Sequence, residues 1–206
     1  MKAESLTRSR AIYLINDSID SFRFSHACYC TSNMESLTEE DKELYDQGVK
    51  MFEDEFSALQ ADMVDICNEY SQGLADKIFI YAANEGMILT QHFYCINLNL
   101  YKCSKLNNAG LSADFDVSKD CQGQVLDILN EDIQKIQNLC EKYNKPIPKL
   151  MKLVYEPKIK KFNADYKYEN QTTDDISVFD NYNTWFEEEK AKLEGGNAVP
   201  AGKYKA

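Results

Sequence analysis

Apolar residues recur along much of the chain at spacings of three and four, as they do in a helix that buries one face. Ile12, Ile15, Ile19 and Phe22 share one stripe, with Arg8, Asp17, Asp20 and Arg23 off it. This predicts a helix from about Leu6 to Cys30, followed by a polar turn over Thr31–Leu37. Thr38 is placed to cap a second helix. Glu39, Glu40 and Asp41 follow it, where carboxylates favour the positive end of the helix dipole. The next stripe, Phe52, Phe56, Leu59, Met63, Ile66 and Tyr70, predicts a seam that packs against other helices, with Gly73 breaking or bending the element.

A third apolar segment carries Leu74, Ile78, Tyr81, Ile88, Ile96 and Leu100, with Phe79, Ile80, Leu89 and Phe93 on a second side. A helix apolar on more than one face is a buried one, so this segment reads as the central helix. Asn107, Asn108 and Gly110 open a loop, and Ser118 caps a fourth helix. On that helix Leu126, Leu129, Ile133, Ile136, Cys140 and Tyr143 repeat at the same spacing. Four long amphipathic segments predict an all-α fold, an antiparallel bundle of four helices.

Proline divides the chain. Pro146, Pro148, Pro157 and Pro200 all follow the fourth helix, and proline is costly inside helices. Residues 1–145 are thus expected to form the bundle and residues 146–206 a C-terminal arm. In the arm Met151–Tyr155 is short and apolar. Lys158–Tyr168 partly alternates and reads as an extended arm or an edge strand. A short helix near residues 180–194, capped by Asp180 or Asn183, carries Trp185, Phe186 and Leu193. Gly195 and Gly196 end it, and a flexible tail follows.

Charge narrows the function classes. Of 206 residues, 34 are acidic and 23 are lysine or arginine, a formal net charge of -11. General binding to nucleic acid or to an anionic membrane is disfavoured, because both repel such a protein. The longest apolar run, Ile78–Ala83, is too short to cross a bilayer, and no apolar stretch follows Met1 and Lys2. A soluble, cytoplasmic protein is expected. Seven cysteines at irregular spacing argue against a disulfide framework. Cys67, Cys95 and Cys140 sit within apolar patterns as small core residues.

Motifs for chemistry are thin. His26, Cys28 and Cys30 form a local run of potential zinc ligands, but no second pair completes a tetrahedral set. A di-iron bundle needs Glu-x-x-His. Arg23 and Leu89 stand where those glutamates would be, three residues before His26 and His92. His92 and Cys95 are one helical turn apart, a spacing that suits packed side chains as well as a nucleophile and its base. No phosphate loop or nucleophile elbow is present. Catalytic, cofactor-binding and metal-binding residues are therefore assigned to none, and no cofactor is expected.

Contact surfaces are better marked. Between Glu35 and Glu69 lie twelve carboxylates, opposed only by Lys42 and Lys50. Glu39, Glu40, Glu43, Asp46, Glu53 and Asp54 offer a docking face for a basic partner. The stretch Lys142–Lys167 holds eight lysines. There Lys158, Lys160 and Lys161 lie among Phe162, Tyr166 and Tyr168, and suit an acidic surface on the same chain or on a neighbouring copy. Trp185 and Phe186 are aromatic anchors that pack either on their own bundle or in a groove of another subunit. The expected function is non-enzymatic. The chain reads as a helical adaptor or connector subunit of a larger complex, such as a phage virion ring or head–tail connector component. Its partners are proteins or further copies of itself, with no direct contact to nucleic acid or membrane. Two other readings stand beside this one: an acidic inhibitor that mimics nucleic acid to block a DNA- or RNA-binding enzyme, and a small metal-dependent or Cys/His enzyme.

Overall fold

The computed structural model describes residues 39–196. The helix expected over Leu6–Cys30, the Thr31–Leu37 turn, the Thr38 cap, the His26, Cys28 and Cys30 run and the tail from Asn197 lie outside them. The described chain runs α1 (Glu39–Tyr70), β1 (Lys77–Asn84), β2 (Ile88–Ile96), β3 (Asn99–Lys102), α2 (Lys119–Lys142), β4 (Leu150–Glu156), β5 (Lys161–Lys167) and α3 (Val178–Gly196). The strands form one antiparallel sheet in the order β3-β2-β1-β4-β5.

The all-α, helical-bundle expectation is therefore overturned. The segment read as the central helix is the β1–β2–β3 meander. It is apolar on two sides because β1 is covered on both faces. Ile78, Ile80 and Ala82 point into one buried cluster, and Phe79, Tyr81 and Ala83 into the other. Continuous runs of β-branched and aromatic residues, cut by turn residues at Glu85–Gly86 and Asn97–Leu98, satisfy a doubly covered strand as well as a buried helix. His92 and Cys95, one turn apart on the expected helix, lie on opposite faces of β2.

The amphipathic helices are as their stripes predict. Phe52, Phe56, Met63, Ile66 and Tyr70 of α1 are buried, as are Leu129, Ile133, Ile136 and Cys140 of α2. Both helices lie on the same sheet face. Each ends in a Schellman motif, whose left-handed residue returns orphan carbonyls to use. At α1 the Gly73 N–H donates to Asn68 O (2.9 Å) and Gln72 N–H to Glu69 O (2.8 Å). At α2 the Lys145 N–H donates to Cys140 O (2.8 Å) and Asn144 N–H to Glu141 O (3.1 Å). Ser118 caps α2 by accepting the Cys121 N–H (3.2 Å).

Chain from beyond the prolines completes the same sheet: β4 pairs with β1 from Ile78↔Tyr155 to Ala83↔Leu150, and β5 is the edge strand. The α3 helix crosses the opposite face over Phe79, Tyr81 and Phe93. Its cap is Ser177, upstream of the expected Asp180 or Asn183. Asp180 N–H donates to Ser177 Oγ and Ser177 N–H to the Asp180 carboxylate (2.9 Å), a reciprocal capping box.

Candidate functional site

The aromatic anchors are spent inside the molecule. Trp185 is 4% exposed, with its ring edge-on to Phe93 (5.0 Å) and Phe79 (5.8 Å). Phe186 is buried against Phe93 (5.1 Å). Lys152 and Lys102 lie over these two rings, with Nζ at 5.3 and 5.1 Å from the centroids. Tyr166 is tucked under α1, where Gln60 Nε2 donates to its hydroxyl (2.6 Å) and Phe56 meets its ring edge. Phe162 is half-buried against the same cluster, and Tyr168 is exposed on one side. The arm thus packs in cis, and these side chains are not offered as anchors to another subunit. Their signal was real but ambiguous, because an aromatic on an amphipathic helix fits its own sheet as well as a partner's.

Beneath α1 and α2 the sheet carries a buried polar row, Thr90, His92 and Tyr94. Tyr94 donates its one hydroxyl proton to Cys67 O (3.0 Å), so the 2.8 Å contact with His92 must have Nδ1 as donor. His92 Nε2 is then an acceptor, fully buried and without a hydrogen-bond partner. Burial pushes the His92 pKa down to about 4, so the ring is neutral. Thr90 donates to Asn130 Oδ1 of α2 (2.7 Å). The row is sealed from solvent. Burial also raises the pKa of each described thiol, Cys67, Cys95, Cys103, Cys121 and Cys140, away from the nucleophilic thiolate. Among the described residues no group of three or more His, Cys, Asp or Glu is placed to share a metal ion.

Exposed side chains include Met87, Ile176 and Phe179, and others fall into two groups. At the end where β1 begins, three turns meet at Asp76. The Asp76 N–H donates to Cys95 O (2.8 Å), its Oδ2 accepts the Asn97 N–H (2.7 Å), and its Oδ1 pairs with Lys158. The lysine bond, with the Asn97 amide behind it, holds the Asp76 carboxyl below its ordinary pKa. Each of the three turns presents an exposed aliphatic side chain: Leu74 (45% exposed), Leu98 (62%) and Ile159 (65%). Lys160 and Lys161 are exposed beside Ile159, and Lys77 pairs with Glu156 (3.3 Å).

At the other end α1 begins. Glu43, Asp46 and Asp54 are exposed there, and Glu53 is half-buried. Glu39 and Glu40 open the helix, their side chains outside those described. Glu55 pairs with Lys142 (3.2 Å) and accepts from Tyr143 (3.1 Å). Further along, Asp62, Asp65 and Glu69 crowd one side of α1. Partial burial, with repulsion from Asp62 and Glu69, raises the Asp65 pKa to about 6. Leu74, Leu98 and Ile159 carry no sequence signal as contact residues, because isolated aliphatics in turns are common. No helix among the described residues is long and apolar enough to cross a membrane. The chain matches no protein-family model, and comparison with curated proteins finds no match.

Proposed function

We propose that this protein is a non-enzymatic contact protein, an adaptor or connector subunit of a larger protein assembly. The observation that carries this reading is the set of three aliphatic side chains at turns tied together by Asp76. An aliphatic side chain in water forgoes roughly 1.5–3 kcal/mol that burial would return. Three of them held on one rigid junction form a ready contact patch. The sealed His92 and the raised thiol pKa values favour contact over chemistry.

Size fractionation of a gentle native extract tests it. The protein should migrate in a complex well above its own 23.7 kDa, and Leu98→Gly with Ile159→Ser should release it. Migration at monomer mass in the extract overturns the reading. The acidic leading half of α1 favours one alternative, an inhibitor that imitates nucleic acid. That role predicts release of the partner by added DNA, whereas the assembly role predicts none.

A further inference from the structure

The hairpin joining β2 to β3 turns through two left-handed residues, Asn97 (φ 51°) and Leu98 (φ 62°). Such a turn matches the strand twist and favours Asn followed by Gly. Asn97 suits its position. Leu98 occupies the glycine position in a left-handed conformation that strains a side chain with a Cβ, and its side chain is mostly in solvent. Within the monomer this leucine brings strain and little burial.

The surroundings of Leu98 say what would bury it. Across the turn segments Leu74–Lys77 and Glu156–Lys161, four lysines face two carboxylates, on a chain whose net charge is -11. The complementary surface is on α1. Its 32 residues span about 48 Å, against about 30 Å for the longest strand. Among the described side chains of α1 ahead of Phe52, Glu43, Asp46, Gln47, Lys50 and Met51 are exposed and none is buried. From Glu39 to Asp54 this helix carries seven carboxylates and two lysines. Glu43, Asp46 and Asp54 share one helical stripe, away from Phe52 and Phe56, and Met51 is 55% exposed beside it. The turns at the start of β1 set exposed aliphatics among lysines, and the leading half of α1 sets an exposed methionine among carboxylates.

We infer that the Leu98–Ile159 turn end of one copy docks on the acidic stripe of α1, beside Met51, of a second copy. The two surfaces are different and lie at opposite ends, so the contact is heterologous, and it repeats into a filament or closes into a ring. This inference rests on the assembly reading and names the partner as the chain itself.

Light scattering on the purified full chain tests it with two variants. One is Leu98→Gly with Ile159→Ser, the other Asp46→Lys with Met51→Ser. The parent's average mass should rise with protein concentration, less so in high salt. Each variant alone should stay monomeric, and an equal mixture should form a one-to-one dimer and nothing larger, because only one intact junction remains. Leu98→Gly alone should melt no lower than the parent, which separates lost contact from lost fold. A parent that is monomeric throughout overturns the inference, as does a dimer that the mixture fails to restore. If that monomeric parent still migrates as a large complex in native extract, the self-contact fails and the assembly reading stands. Monomer in both settings removes both.

Discussion

His92 and Asp65 tie individual side chains to stability with opposite signs. His92 has an ordinary pKa of 6.5 and a folded one of about 4. The unfolded chain binds more protons between those values, so stability falls as pH drops from 6.5 to 4, by on the order of 3 kcal/mol over the full window. Asp65 runs the other way. Its folded pKa of about 6 lies above the ordinary 3.8, so the folded chain gains stability as pH falls through that range. Asp65 is only half buried, and solvent screening makes its share the smaller. Urea unfolding across this pH range should show a net decline towards acid. His92→Phe should abolish it and Asp65→Asn should steepen it. A decline unchanged in His92→Phe would assign it to other groups. The depressed carboxyls Asp76 and Glu85 lose their stabilisation as pH falls through their ordinary values of 3.8 and 4.5, so Glu85 adds to the decline at the acid edge of this window and Asp76 below it.

Helix α3 is the element whose placement most changes the functional reading. Its capping box makes Ser177→Ala a clean probe. Loss of the Oγ acceptor should cost about 1 kcal/mol in unfolding free energy with the fold intact. Trp185 is the only tryptophan, so fluorescence reports on α3 alone. Its emission should be blue-shifted and shielded from quencher at every concentration, including where the protein is monomeric. Reddening on dilution would mean that α3 is held by another copy. Trp185→Ala should cost roughly 3–5 kcal/mol, because it empties the centre of the second cluster. The strap leading to α3 is fastened to the β1–β2 turn by Glu85, whose carboxylate accepts from Gln171 N–H, Thr172 N–H and Thr172 Oγ1 (2.8, 3.0 and 2.6 Å). Of the two readings of Lys158–Tyr168, extended arm or edge strand, the edge strand is the one found, as β5 paired with β4.

Across the whole molecule, protection should follow position in the sheet. Strand β1 is central, paired on both sides and covered on both faces. In native-state hydrogen exchange, amides from Ile78 to Ala82 should open only with global unfolding. Those of α1 ahead of Phe52 should exchange much sooner. Fast exchange in β1 would mean that the two clusters unfold separately. The two-sided cover also sets what a surface can do. With Tyr182, Trp185 and Phe186 of α3 buried, the exposed apolar side chains are mainly in turns, at Phe179 and at Met51 of α1.

The period of three and four in α1 and α2 was legible because an amphipathic helix writes its burial into local spacing. So were Ser118 as a cap, Lys158–Tyr168 as a possible edge strand, and Cys67, Cys95 and Cys140 as core residues. The segment Leu74–Leu100 was not legible. A stretch buried on all sides loses its period, and helix and strand then differ only in distant partners such as β4, some seventy residues on from β1. Whether Trp185 faces its own sheet or a neighbour's is likewise not a local property. It depends on free apolar area on the far face of the sheet, which exists only once β1, β2 and β4 have paired.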